Sequence, residues 1–149
     1  MRLAGPILGL GVLALLGLAV WVRLAPSDPA VWHVDPETVR DRGARNSYLV
    51  APGGDAAPPE VPMTPDQVAS RLDTIALAAA RTTRLAGQGD FVTYLTRSAL
   101  FGFPDYTSVR IRPTATGSQV LIFARSRFGD GDLGMNRARV DAWIAQLTR

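Results

Sequence analysis

Residues 126–139 read SRFGDGDLGMNRAR and pack three glycines, two aspartates, an asparagine and three arginines into fourteen positions. Residue types like these could cradle a phosphate on bare backbone, hold a cation between carboxylates, or set a general base beside an anion-binding arginine. Gly129, Gly131 and Gly134 spell G-x-G-x-x-G. A dinucleotide loop of that pattern needs a second strand after its helix and an acid about 20 positions on. Here Asp130 and Asp132 would repel phosphate, and the 15 residues after Gly134 read as helix. A calcium loop fares no better. With Asp130, Asp132, Asn136 and Asp141 in its ligand positions, Met135 falls where the loop demands glycine, and a strand leads in instead of a helix. A cation site of another geometry sharing Asp130 and Asp132 stays open. The reading that uses most of these residues is a structural corner. Asp132 caps the following helix, the glycines admit left-handed backbone, and Arg127 holds Asp132 or another carboxylate by a bidentate pair.

A second polar stretch, RSALFGFPDY, lies upstream with Ser98, Gly102, Phe103, Pro104 and Asp105. In this order the two stretches resemble the signatures of domain-of-unknown-function family 1499, with a likeness running over about residues 68–147. Ala124 stands where many relatives carry serine, and Tyr106 where they carry a second acid. The resemblance implies a bacterial or plastid setting, often behind a membrane or export segment, and no activity to carry over. Both stretches fall between predicted elements, so they can meet at one end of a sheet. A cluster of Asp105, Arg127, Asp132, Asn136 and Arg139 follows, either as a buried polar latch or as the lining of a pocket. The latch is favoured, because Gly, Pro and Asx residues are also what tight turns require.

The elements that position these stretches begin at MTPDQVASRLDTIALAAA. Thr64 reads as an N-cap, Pro65 suits the first helical position, and Gln67 completes a capping box. Val68, Leu72, Ile75 and Ala79 recur at helical spacing. The period then becomes two, with a hairpin turn at 87–90. Thr107, Val109 and Ile111 take one face of the next strand, with Ser108, Arg110 and Arg112 on the other. QVLIFARSR is apolar on both faces through Phe123, as in a strand covered on both sides. A closing helix from about residue 133 to 147 carries Val140, Trp143, Ile144 and Leu147 as a stripe, with Arg137 and Asp141 four apart on its exposed face. The expected class is α+β, a small antiparallel sheet of about four strands in the order α-β-β-β-β-α over residues 63–149.

Ahead of it, residues 24–62 contain seven prolines and read as a linker. Inside lies VWHVDPETV, where His33 is either an acid–base group or ligand, or part of a segment docking Trp32 on the domain; the pattern favours docking. Residues 3–22 are 20 uncharged positions between Arg2 and Arg23, with Trp21 near the end. At about 1.5 Å per residue they are long enough to span a bilayer, so 1–23 is expected to be an uncleaved transmembrane anchor. A short basic N-terminus before an apolar run favours an exported domain, although a count of Arg23, Arg40, Arg42 and Arg45 on the far side argues the reverse.

There is no Cys and a single His, which excludes disulfides and thiolate chemistry. All 16 basic residues are Arg, and the net charge is +3. Basic residues alternate with acids, so no nucleic-acid partner is expected, and no cofactor or metal either. From residue 90 onward eight Arg face five acids, which points to an anionic ligand or an acidic protein surface. The expected function is that of a ligand-binding or accessory module without catalysis, on the periplasmic side of the cell inner membrane. The rivals are a hydrolase-like enzyme using Asp105 or Asp132 as base with Arg127 and Arg139 on an anionic substrate, and a purely structural tether.

Overall fold

Strand-period alternation in the second half of the chain builds the scaffold. The computed structural model describes residues 4–40 and 46–149, with side chains from residue 9 onward. Leu3, and the Arg2, Arg42 and Arg45 that enter the orientation argument, lie outside the described residues. The element order is α1 (Ala4–Leu24), α2 (Pro29–Trp32), β1 (Ser47–Val50), β2 (Glu60–Val61), α3 (Pro65–Ala78), β3 (Thr82–Gln88), β4 (Phe91–Arg97), β5 (Pro104–Pro113), β6 (Ser118–Ser126) and α4 (Met135–Leu147). The class is α+β, as expected, but the antiparallel sheet has six strands rather than about four. Its order is β1-β6-β5-β4-β3, with β2 beside β1 on the same edge of β6. The two extra strands come from residues 24–62, where proline and glycine hide any period. They form because β6 would otherwise leave its backbone donors and acceptors unpaired along that edge.

One face of the sheet carries α3 and α4. Thr64 caps α3 in a full capping box, its hydroxyl accepting from the Gln67 amide while Gln67 accepts from the Thr64 amide. Val68, Leu72 and Ala76 are buried, with Ile75 partly so, against Tyr94, Val109, Ile122, Val140 and Trp143. The opposite face carries Leu49, Leu121 and Phe123, covered by Val34 and Val39 of the segment ahead of β1. Both faces of β6 are therefore buried, as its sequence requires. The closing helix starts at Met135, two residues later than its apolar pattern predicts, because Leu133 (φ 54°) and Gly134 (φ 78°) are left-handed.

Helix α1 exposes Leu10, Leu13, Leu16 and Leu24, then buries Val22 and Ala25 against the domain. Trp21 packs on Phe128 with ring centroids 5.5 Å apart. Among the described residues no helix is long and apolar enough to cross a membrane. The anchor expected over residues 3–22 finds no support there, its opening residues lying partly outside that description.

Candidate functional site

The register places Asp105 opposite both Thr96 and Ser126, so the loops 98–103 and 127–134 emerge at one end of the sheet. Their polar side chains meet on the helix-covered face. The Asp105 carboxylate accepts from the Ser126 hydroxyl at 2.6 Å on one oxygen and from Arg139 Nη2 at 2.6 Å on the other. Arg139 Nη1 donates to Asn136 Oδ1 at 2.8 Å, and Asn136 Nδ2 donates to Ser126 Oγ and to the Asn46 carbonyl. The side chains of Asp105 and Arg139 are each 13% exposed. With an intramolecular donor on each oxygen and little exposure, the Asp105 carboxylate is a fastener of this network.

Asp132 stands two residues ahead of the α4 N-cap Gly134. Its two oxygens accept the amides of Gly134 and Asn136 at 3.0 and 2.7 Å, neutralising donors that the helix start leaves open. Gly129 (φ 85°) and Gly134 are left-handed, as a turn from strand to helix requires. Four of the five expected residues, Asp105, Asp132, Asn136 and Arg139, thus form one network. Arg127 does not join it. Its Nη1 donates to the Pro26 carbonyl at 2.7 Å and its guanidinium lies over Phe128, because residue 127 sits one position out of phase with the helix-covered face. Two members lie outside the expected cluster: Ser126, which stands inside the second signature, and Asn46, hidden in the stretch that reads as a linker. Its Nδ2 donates to the Gly129 carbonyl at 2.6 Å.

Beside the network a cleft of about 400 Å³ is lined by Tyr48, Asp55, Asp132 and Arg137. Its acids are already engaged: Asp55 accepts the Leu49 amide, and Asp132 holds the helix start. Burial, with Asp141 nearby, raises the Tyr48 phenol above its ordinary value. Arg137 pairs with Asp141 across one helical turn at 3.5 Å. The hydrolase reading needs Asp105 or Asp132 free to take a proton and Arg127 beside Arg139, and the hydrogen bonds run otherwise. Among the described residues no group of three or more His, Asp or Glu is arranged to hold a metal ion.

The other sheet face holds the VWHVDPETV segment. Trp32 stacks on Tyr106 (centroids 4.0 Å, 13°) and His33 on Phe91 (3.7 Å, 18°). His33 Nδ1 lies 2.8 Å from the Thr93 hydroxyl. Asp35 takes two bonds from Arg110, at 3.0 Å from Nε and 2.5 Å from Nη2. Burial alone would raise the Asp35 carboxyl, but those bonds and the Glu37 amide carry it below the usual carboxylate range. Tyr106 also shares a 2.8 Å hydroxyl bond with Ser27. Ala124 is fully buried in the core. Beneath Trp32, Arg125 is 8% exposed, donates to the Trp32 carbonyl, and among the described residues leaves Nη1 without a hydrogen-bond partner. Burial pushes it down to about 10, still a cation at neutral pH. His33 and Asp35 are therefore docking residues in this arrangement.

The family described as protein of unknown function, DUF1499, matches residues 27–147. That span takes in the docked segment and all six strands. No curated protein and no solved structure matches the chain significantly.

Proposed function

The chain belongs to the DUF1499 family, and on that premise we propose that it is a non-catalytic accessory module held at the exported face of a membrane by α1. The observation that carries this reading is the exposure of α1. Leu13, Leu15, Leu16, Leu18 and Val20 are all 46% exposed or more, on every side of the helix. A helix apolar all round is stable when lipid or protein surrounds it, and among the described residues nothing covers residues 9–18. Residues 3–22 supply the uncharged length, and Trp21 with Arg23 suits the water boundary. The paired state of Asp105 supports a structural role for the polar network, which leaves α1 and the surfaces around it for function.

Two readouts on the full chain test this. Membranes washed with alkaline carbonate should retain the protein and detergent should release it, whereas release by carbonate alone would sink the anchor. A reporter fused after Arg149 should be active only in its export-dependent form; an active cytoplasmic reporter would place the domain on the other side.

A further inference from the structure

Among the described residues five arginines of the domain pair with an acid, Arg137 with Asp141 among them. Arg84 pairs with Asp73, Arg110 with Asp35, Arg112 with Glu37, and Arg139 with Asp105. Three others converge where α1 meets the sheet end. A cleft of about 430 Å³ is lined by Arg23 from the last turn of α1, Arg81 and Thr83 at the start of β3, Arg97 and Ser98 at the end of β4, and Gly102. Among the described residues no carboxylate pairs with any of these arginines. Their bonds run to neutral carbonyls: Arg23 Nη2 to Leu100 at 3.1 Å, Arg81 Nε to Arg97 at 3.1 Å, and Arg97 Nη1 to Gly102 at 3.0 Å. Each carbonyl fixes one N–H of a guanidinium and leaves its charge and its other donors available.

Gly102 lets the Arg23 side chain lie directly against the backbone of the cleft. A Cβ there would lie 2.7 Å from Arg23 Cγ, and its φ of 74° is one that L side chains rarely adopt. Arg81 is itself left-handed (φ 58°), an uncommon conformation for a residue with a side chain, and it brings the guanidinium to the Arg97 carbonyl. Ser98 Oγ accepts the Phe103 amide, so its hydroxyl proton is free to be donated. The result is a concave site with three cations, hydroxyl donors and no acid, which is the chemistry of a phosphate group.

We propose that this cleft binds the phosphate of an anionic phospholipid headgroup in the membrane that holds α1. The proposal rests on the reading of α1 as an anchor. Arg23 follows Trp21 by two residues, so a membrane ending at Trp21 puts its phosphates at the level of the cleft. Leu100, 75% exposed beside the site, then faces the boundary between headgroups and acyl chains. With no acid in the lining, nothing there would hold the ammonium of a zwitterionic headgroup, and the net charge selects an anionic one.

The test uses the full chain in detergent micelles, with retained lipid read by native mass spectrometry. Phosphatidylglycerol should be retained at least tenfold better than phosphatidylcholine of equal chain length. That preference should fall about tenfold in Arg81→Gln and Arg97→Gln, and persist in Arg137→Gln. Arg81 is exposed, so its variant keeps the test valid if Arg97→Gln fails to fold, and thermal unfolding in the same micelles checks both. Equal retention of the two lipids, or an unchanged preference in Arg81→Gln, overturns the proposal. So does binding of inorganic phosphate without any lipid preference, which would mark the cleft as a site for a free anion. Failure of the anchor reading shows separately, as release by carbonate with no lipid added.

Discussion

Asp105 and Arg139 illustrate how burial sets the worth of a single side chain. Each side chain is 13% exposed, and among the described residues each is the other's only ionic partner. Asp105→Ala leaves the guanidinium buried without its counter-charge, at a cost of about 3–5 kcal/mol. Asp105→Asn should cost less, because an amide oxygen can still accept one of the two bonds. Asp132→Ala removes a helix-start acceptor and should cost about 1 kcal/mol. Arg125 is also buried but among the described residues has no acid to lose, so Arg125→Met should shift stability by less than about 1 kcal/mol in either direction. Urea unfolding of the full chain in micelles reads all four. If Asp105→Ala proved as mild as Asp132→Ala, the latch would be no more than a surface ion pair. The capping box at Thr64 and Gln67 and the helix-start role of Asp132 are legible in the sequence, because each depends on neighbours within four residues. The partner of Arg127 is not, because Pro26 is 101 residues away.

At the scale of an element, the docked segment 29–40 covers one sheet face, and His33 is expected to make its hold depend on pH. Burial first, then the Arg110 charge, lower His33 below its ordinary 6.5, against the opposing pull of Asp35. The folded chain thus binds this proton less readily than the unfolded chain. The stability linked to His33 is whole above about pH 6.5 and is lost as pH falls through the imidazole range. Asp35, with its carboxyl lowered, keeps its bond to Arg110 until far more acidic conditions. Hydrogen exchange across 29–40, corrected for intrinsic rates, should therefore be faster at pH 5.5 than at 7.5. His33→Asn should flatten that difference. Equal protection at both pH values in the parent chain would show that the stacking of Trp32 on Tyr106 dominates. The strand alternation of β5, the doubly buried β6 and the apolar stripe of α4 are legible, since one face of each recurs at a fixed period. Strands β1 and β2 are not. Four and two residues long, they owe their conformation to the edge of β6 rather than to their own composition.

Taken whole, the molecule is a sheet clamped between two helices and its own N-terminal segment, with α1 leaving from the end where the signature loops gather. The joint is narrow: Val22 and Ala25 are buried, and Arg23 crosses over Gly102. Gly102→Val should wedge that joint open while leaving the sheet folded. Protease cleavage within 24–28 should rise at least severalfold, with the unfolding transition of the domain nearly unchanged. Cleavage at the parental rate would mean that α1 holds to the domain through Trp21 and Phe128 instead.

From its own residues the sequence determines the α+β class, the helices α3 and α4, the hairpin between β3 and β4, and the family, because these rest on local period, capping and contiguous motifs. Tertiary structure alone decides that Asn46 closes the polar network, that Arg127 leaves it, and that residues once read as a linker supply two strands and a cover. It also decides that Arg23, Arg81 and Arg97 share a cleft. These contacts join positions tens of residues apart, and a side chain's partner at that distance is set by strand register and by which face the chain returns to, neither of which any short stretch encodes.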